Sequence, residues 1–335
     1  MANVLLTGAS GFLAKHIALR LLQEGHSVRA SLRNPARQGE VIEALTPRLP
    51  PGAIDRLSFV TLDLTRDAGW IEALGGCDAL VHTASPFPIA QPKDPDTLIR
   101  PAVDGTRRAL TAARAAGVDR VVLTSSTVAI LSGSRDGRIH TEDDWADSDG
   151  PPAQPYARSK VMAEREAWAI AGREGLWLTT INPSFILGPP LDAHFGSSIG
   201  LVRRLLRGRD PMLPRIGFPV VDVRDVALAH VRALDRPEAE GQRIIASSGS
   251  LWLPDWGRIL KAEWPDRRIP TRTAPKALLR ILALFDAEIR ASLPAVGHME
   301  QVSAEKARRL LGIDFIPPDA ALIAAGRELV ARGLV

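Results

Sequence analysis

The chain begins with an apolar run that leads directly into a turn of small residues, and a helical pattern follows at once. Gly8, Gly11 and Ala14 recur at every third position of this segment. A backbone without Cβ atoms lets a pyrophosphate approach, and the amide groups at a helix start favour negative charge. A small residue at position 14 allows close packing of helix on strand. The pattern predicts a dinucleotide-binding turn, with a purely structural glycine turn as the alternative.

Apolar runs alternate with helical patterns from residue 1 to about 185. Near-continuous apolar strands joined by helical crossovers predict an α/β fold with a doubly wound parallel sheet of the Rossmann type. The predicted strands are Asn3–Thr7, Ser27–Leu32, Leu57–Leu62, Ala79–His82, Arg120–Thr124 and Leu178–Ile181. The predicted helices lie near Gly11–Glu24, Trp70–Leu74, Asp96–Ala116 and Tyr156–Gly172.

The pattern becomes less regular after residue 185, where proline and glycine interrupt it repeatedly. Strands are predicted at Pro219–Val223 and Arg243–Ser247, with a helix at Arg224–Leu234, and we expect both strands to return to the main sheet. The expected division is a Rossmann domain of residues 1–185 plus about 218–248, and an interleaved C-terminal substrate cap of about 186–217 and 249–335.

Composition narrows the functional classes. The chain has 335 residues, of which 45% are apolar and 24% charged, as is usual for a soluble globular protein. Its net charge of +4 and the lack of a long run of like charge argue against a nucleic-acid partner. Cys77 is the single cysteine, so no internal disulfide is expected, and no signal-peptide pattern is present. We therefore expect a cytoplasmic protein.

The most apolar late stretch, residues 277–295, is interrupted by charged residues. Its apolar residues recur at helical spacing, at Leu278, Ile281 or Leu282, Phe285 and Ile289. This spacing predicts an amphipathic helix and no membrane span.

The end of the second predicted strand bears on the choice of cofactor. An acidic residue about 20 positions after the glycines would bind the adenosine ribose and select NAD. Leu32 occupies this position, and Arg33 follows it. A guanidinium suits a 2′-phosphate, so the sequence favours NADP(H), although Arg33 could also be a surface residue. Arg37 could assist or lie on the surface, and Asp63 could accept a hydrogen bond from adenine or begin a turn.

A second group of polar residues suits proton transfer. The buried strand ending at Thr124 is followed by Ser125 and Ser126, and Tyr156 and Lys160 come some 30 residues later. A Tyr and a Lys four residues apart share one helix face. The phenol's ordinary pKa near 10 is high for acid–base work, and a nearby ammonium is expected to lower it. By itself this spacing is also compatible with two surface residues.

Together these residues resemble the extended short-chain dehydrogenase/reductase superfamily, and within it the dihydroflavonol reductase-like group, which includes cinnamoyl-CoA, anthocyanidin and aldehyde reductases. The resemblance covers nearly the whole chain. It is carried by the turn 7–13, the second strand 28–33, the segment 82–86, the serine segment 124–126, the Tyr156/Lys160 pair, the segment 181–189 and the segment 221–230.

This resemblance implies that Tyr156 protonates the substrate oxygen, Lys160 lowers the pKa of Tyr156 and binds the nicotinamide ribose, and Ser126 orients the carbonyl. The implied cofactor-binding residues are Thr7, Gly8, Ser10, Gly11, Phe12, Leu13, Arg33, Asp63, Leu64, Thr83, Ala84, Ser85, Thr124, Tyr156, Lys160, Pro183 and Ser198. The implied activity is a reversible hydride transfer between NADP(H) and an aldehyde or ketone of fairly apolar or aromatic character.

Candidate substrate-pocket residues are Phe87, Thr127, Phe185 and His194. Thr127 stands where relatives often carry alanine or valine, and the 193–198 loop matches no flavonoid-reductase pattern, so the substrate stays open.

The seven histidines have no spacing suited to a metal. The resemblance is compatible with a monomer or a homodimer.

Three other functions remain open. A steroid-type 3β-hydroxy dehydrogenase/isomerase shares the fold and the Tyr/Lys pair. A sugar-nucleotide epimerase or dehydratase usually holds NAD through an acidic residue at the position of Leu32. A non-enzymatic NADP-sensing protein would need the glycine turn but not Ser126, Tyr156 and Lys160 together.

Overall fold

A computed structural model of the chain describes residues 1–85, 94–131, 136–147 and 155–335. The strands in these ranges are β1 Asn3–Thr7, β2 Ser27–Leu32, β3 Leu57–Thr61, β4 Ala79–His82, β5 Arg120–Thr124, β6 Ile139–His140, β7 Trp177–Pro183, β8 Phe185–Leu187, β9 Gly217–Asp222, β10 Arg243–Ala246, β11 Gly249–Trp252 and β12 Gln301–Val302.

The α-helices in the same ranges are α1 Phe12–Gln23, α2 Gln38–Leu45, α3 Trp70–Leu74, α4 Asp96–Ala115, α5 Val128–Leu131, α6 Pro155–Glu174, α7 Ser197–Leu206, α8 Val223–Asp235, α9 Leu253–Glu263, α10 Lys276–Leu282, α11 Ala287–Ser292, α12 Glu305–Leu311 and α13 Pro318–Ala331.

Seven strands form one sheet in the order β10-β7-β5-β4-β1-β2-β3, and every pairing in it is parallel. Because successive strand residues point to opposite faces, Leu6 packs with α1 and α8 whereas Leu5 packs with α3, α4 and α6. Both faces of the sheet are therefore covered by helices, and the predicted doubly wound fold is confirmed. The carboxyl ends of β1, β4 and β5 lie side by side at one edge, where such sheets bind ligands.

The two late strands behave differently. β10 joins the main sheet beside β7, as expected. β9 instead lies in a separate sheet of order β11-β9-β8, parallel to β8 and antiparallel to β11, so the expectation that it returns to the main sheet is wrong. Around it, α7, α9 and α13 enclose a second core that contains Trp256. The boundaries of the two expected domains stay a prediction.

The stretch 277–295 forms two short helices, α10 and α11, and the prediction of one amphipathic helix is wrong. The Asp286 carboxylate accepts a hydrogen bond from the Ile289 amide at 3.1 Å, which starts a new helix. Leu279 is buried, whereas Ile281 and Phe285 of the predicted apolar stripe are exposed. Among the helices of the described ranges, none has the length and apolarity needed to cross a membrane.

Candidate active site

The glycine turn connects β1 to α1. Gly8 adopts φ +71°, and a Cβ at this position would lie 3.1 Å from the Cα of Ala84, just beyond β4. Gly11 caps α1 without a side-chain hydrogen bond. The amides of the first helical turn have no partner within the helix, so they are available to an anion. Ala14 is buried against the sheet, as its small size predicts.

A hydroxyl anchors this turn to the neighbouring strand. The Thr7 hydroxyl accepts hydrogen bonds from the amides of Thr83 and Ala84, both at 3.0 Å. It also lies 2.9 Å from Nδ1 of His82. Since its one proton must then go to Nδ1, His82 carries its own proton on Nε2. Burial, aided by the charge of Lys160, lowers the pKa of His82 to about 3, which keeps the ring neutral. The predicted cofactor contact Thr7 thus uses its side chain to hold β1 and β4 together.

Two arginines lie beside the turn. Arg33 is exposed directly after β2, and Arg37 donates a hydrogen bond from Nη1 to the Ser10 hydroxyl at 3.0 Å. Arg37 is also paired with Glu40, through contacts of 2.8 Å and 2.6 Å. Arg37 therefore lies at the turn, and whether it assists in binding the cofactor stays a prediction.

The end of β3 contributes Asp63 and Leu64. The Asp63 carboxylate accepts hydrogen bonds from the amide and hydroxyl of Thr65, both at 2.8 Å, and these bonds lower its pKa. The charge of Arg33 acts in the same direction. Leu64 lies against Gly105 of α4, where an added Cβ would come within 2.9 Å of a Leu64 methyl. Asp63 therefore shapes a turn and stays charged.

The structure brings Ser126, Tyr156 and Lys160 together. Ser126 follows β5, while Tyr156 and Lys160 lie one turn apart near the start of α6. The Ser126 hydroxyl and the Tyr156 phenol are hydrogen-bonded. The Lys160 ammonium is buried 5.9 Å from the centroid of the Tyr156 ring. The spacing of four residues predicted the common helix face of Tyr156 and Lys160, whereas Ser126 was singled out by the resemblance; the catalytic roles of all three stay a prediction.

Burial shifts the pKa values of both members of the pair. Burial raises the pKa of Tyr156 to about 12, against the opposing effect of its hydrogen bond with Ser126. Burial lowers the pKa of Lys160 to about 8, and the charge of Glu164 opposes this shift. The pKa of Tyr156 is thus raised overall, because desolvation of the phenolate is the larger effect, and the expected lowering by Lys160 stays a prediction. At neutral pH the site holds a neutral phenol beside an ammonium.

Other expected cofactor residues have structural partners. The Thr124 hydroxyl lies 2.7 Å from Nε2 of His230, whose Nδ1 lies 2.8 Å from the carbonyl oxygen of Val226. Nδ1 must donate to that carbonyl, so Nε2 accepts the Thr124 proton. The Pro183 carbonyl at the end of β7 accepts the Thr127 amide at 3.0 Å. Ser85 follows β4 with its neighbours Thr83 and Ala84, and Ser198 is the second residue of α7.

The substrate-pocket candidates are dispersed. Phe87 lies outside the described residues. Thr127 is buried beside Ser126. Phe185 packs against Phe218 and Trp256, with ring centroids 5.7 Å and 5.5 Å away, within the smaller core. His194 is largely exposed, and its Nδ1 lies 3.3 Å from the Glu40 carboxylate beside the glycine-turn helix.

Sequence reasoning missed one buried acidic residue of this region. Glu164 continues the spacing of Tyr156 and Lys160 by one further turn, and it is 1% exposed. The same helical periodicity that selected the Tyr/Lys pair indicates a common face for all three residues. A charged residue on a buried helix face is the signal that could have found it.

A model of the NAD dependent epimerase/dehydratase family matches residues 4–246, which include all seven strands of the main sheet except the first residue of β1. The chain belongs to this family. Within the family it is 34% identical over 275 residues to cinnamoyl-CoA reductase 2 of Arabidopsis thaliana, which covers 80% of each protein. It is 32% identical over 280 residues to dihydroflavonol 4-reductase of Zea mays, covering 81% of the chain and 76% of the relative. The predicted dihydroflavonol reductase-like group of extended short-chain dehydrogenases/reductases is confirmed.

Solved structures extend the similarity of this family member to its whole length. Yeast methylglyoxal/isovaleraldehyde reductase complexed with NADPH has a TM-score of 0.81 and 27% identity, over 99% of this chain and 100% of that one. Vestitone reductase from alfalfa has a TM-score of 0.79 and 26% identity, over 100% of both chains. The NADPH in the yeast complex agrees with the cofactor predicted from the second strand.

Proposed function

We propose that this chain is an NADPH-dependent reductase that transfers hydride reversibly between NADP(H) and an aldehyde or ketone, with Tyr156 as the proton donor. The grouping of Ser126, Tyr156 and Lys160 is the observation that carries the proposal. It lies at the carboxyl end of β5, separated from the glycine turn of β1 only by β4. A dinucleotide held at the turn would therefore extend along this edge toward the phenol.

The residues at the turn suit NADP(H). The unpartnered amides at the start of α1, next to glycines that leave the backbone bare, fit a pyrophosphate. Arg33 and Arg37 offer guanidinium groups to a 2′-phosphate, and Leu32 provides no carboxylate for an unphosphorylated ribose. When bound, NADPH supplies the hydride. The protein supplies position and charge.

Proton transfer is assigned to the phenol. With the pKa of Tyr156 raised to about 12, the side chain is protonated at neutral pH and can give its proton to an oxygen that becomes an alkoxide. Ser126 is placed to donate a second hydrogen bond to the same oxygen, where negative charge develops. Lys160 contributes a buried positive charge 5.9 Å from the centroid of the ring, which favours the phenolate left after transfer. A protonated Tyr156 beside a charged Lys160 suits reduction of a carbonyl better than oxidation of an alcohol.

The names of the relatives support a carbonyl substrate. They describe reductases of cinnamoyl-CoA, dihydroflavonols, vestitone and methylglyoxal or isovaleraldehyde. Most of these compounds are apolar or aromatic, so we assign this chain a fairly apolar aldehyde or ketone. The smaller sheet with α7, α9 and α13 is the proposed substrate cap, and the protein would act as a monomer or a homodimer.

A substrate panel tests the proposal. NADPH oxidation by the purified chain would be followed by the loss of absorbance of reduced nicotinamide, with aliphatic aldehydes, aromatic aldehydes, aromatic ketones and flavonoid ketones. Tyr156→Phe serves as the inactive control. Turnover of at least one apolar or aromatic carbonyl, lost in the variant, supports the proposal. Failure of every carbonyl, together with turnover of a nucleotide sugar, would replace it with the epimerase alternative.

A further inference from the structure

Glu164 is buried at the centre of a polar group that links α6 to the sheet. Its side chain is 1% exposed. Five side chains donate hydrogen bonds to its carboxylate: Arg243 at 2.7 Å, Asn182 at 2.9 Å, Thr180 at 3.2 Å, Trp168 at 3.4 Å and Ser125. Because the carboxylate accepts so many donors, it is held in one position.

The partner of this carboxylate is equally constrained. Arg243 in β10 is 9% exposed and donates hydrogen bonds to the carbonyl oxygens of Glu142 and Asp144, at 2.6 Å and 2.7 Å. Its guanidinium also lies 3.7 Å from the ring centroid of Trp145. A buried ion pair is often no more stabilising than well-packed apolar side chains, because both charges must leave water. A gain in folding stability therefore does not explain why Glu164 and Arg243 are buried together.

The hydrogen bonds of Glu164 act on the backbone that carries Ser126. Ser125, the residue before Ser126, donates to the carboxylate. Asn182 donates from the same Nδ2 to Glu164 and, at 3.3 Å, to the carbonyl oxygen of Ser126. The end of β5 is thus fastened to the helix that carries Tyr156 and Lys160.

The charge of Glu164 acts on Lys160, one turn earlier on the same helix face. Burial lowers the pKa of Lys160, and Glu164 is the charge that opposes this effect. Three other titratable groups around α6 do not act on Lys160 as Glu164 does. His82 of β4 is neutral because burial lowers its pKa to about 3, and Tyr156 is neutral because burial raises its pKa to about 12. From α4, Arg107 is paired at the surface with Glu166 and Asp104.

We propose that Glu164 is a positioning residue for the proposed reduction: it holds the Ser126 segment against α6 and places a buried carboxylate one turn from Lys160 on the same helix face. The expected effect of Glu164 on turnover rests on the proposed function. Its effect on Lys160 can be measured without turnover. Arg243 serves this arrangement by holding the carboxylate in place from β10.

Glu164→Gln tests the inference, with Glu166→Gln as the matched control. Both substitutions remove one carboxylate from α6, but Glu166 is paired with Arg107 at the surface. The Lys160 titration is read directly by NMR of ¹³C-labelled lysine, with the resonance assigned through Lys160→Arg. We expect Glu164→Gln to lower the Lys160 pKa by about one unit, as the loss of one nearby buried charge should do. Glu166→Gln should leave it unchanged.

Activity provides the second measurement. In Glu164→Gln the pH above which kcat for NADPH-dependent reduction decreases should itself be lower by about one unit, as the Lys160 pKa is. A purely structural role would lower kcat by the same factor at every pH. An unshifted Lys160 titration in folded Glu164→Gln would overturn the inference whatever the enzyme does. A shifted titration in a chain without carbonyl turnover would support it and reject the proposed function.

A double variant covers the case in which Glu164→Gln fails to fold. Glu164→Met with Arg243→Met removes both members of the ion pair, so that neither is left as a lone buried charge, a change that proteins often tolerate. In the double variant we also expect a lower Lys160 pKa and a decrease of kcat that begins at a lower pH. A folded double variant with the wild-type Lys160 titration would contradict the inference.

Discussion

The Lys160 ammonium lies 5.9 Å from the centroid of the Tyr156 ring, one turn further along α6, and the Ser126 hydroxyl is hydrogen-bonded to the Tyr156 phenol. The two ionisable side chains are shifted in opposite directions by the same burial. The pKa of Tyr156 rises to about 12 and that of Lys160 falls to about 8. Each shift favours the neutral form, and near pH 7 only Lys160 is charged.

These shifts predict a one-sided pH dependence of reduction. Tyr156 stays protonated through the alkaline range, whereas Lys160 loses its proton as the pH rises through about 8. The kcat of NADPH-dependent reduction should therefore be level near neutrality and fall above about pH 8. Lys160→Arg keeps the charge and should remove this alkaline fall, even if its maximal rate is lower. A fall that persists at the same pH in this variant would assign the titration to another group.

Cofactor preference should depend on the two arginines beside the glycine turn. We expect NADPH to bind at least about tenfold more tightly than NADH, because a guanidinium can pair with the 2′-phosphate. Replacing Arg33 and Arg37 with alanine should reduce or abolish this preference while NADH affinity stays nearly constant. Arg20→Ala, which removes an exposed arginine of α1 paired with Glu24, is the control. Calorimetric titration measures both affinities, and equal affinities in the wild type would reject the NADP(H) assignment.

The glycine turn should tolerate no bulky side chain. Gly11 has φ −76°, which other residues adopt, so Gly11→Leu should fold. An added Cβ there already lies 3.1 Å from the carbonyl oxygen of Gly8, and the rest of the leucine would occupy the space above the turn. Binding of NADPH should be lost. Gly39→Leu in α2, where an added Cβ meets nothing within 4 Å, should bind normally. Normal binding by Gly11→Leu would place the pyrophosphate elsewhere.

Local patterns predicted much of this molecule. The strands Asn3–Thr7, Ser27–Leu32, Ala79–His82 and Arg120–Thr124 have the predicted bounds, because buried parallel strands are continuous apolar runs that end in polar or small residues. The Tyr156/Lys160 pair was predicted for a similar reason, since a spacing of four residues fixes a common helix face. Both inferences need only a few neighbouring residues.

Features that depend on distant residues were not predicted. β9 has the same apolar character as a strand of the main sheet, and only its pairing with β8 and β11 places it in the smaller sheet. Glu164 and Arg243 are 79 residues apart, so no local pattern connects them. The direction of the Tyr156 pKa shift also depends on the surrounding fold, because burial outweighs the charge that the sequence places nearby.

The proton donor is the central claim, and Tyr156→Phe tests it most directly. The substitution removes one oxygen and keeps the ring, so the fold and NADPH binding should be retained, as fluorescence titration of NADPH would show. The kcat for the best carbonyl of the panel should fall by about a thousandfold or more, since general acid catalysis contributes on this scale. A variant that binds NADPH and keeps a substantial fraction of wild-type kcat would contradict the role of Tyr156.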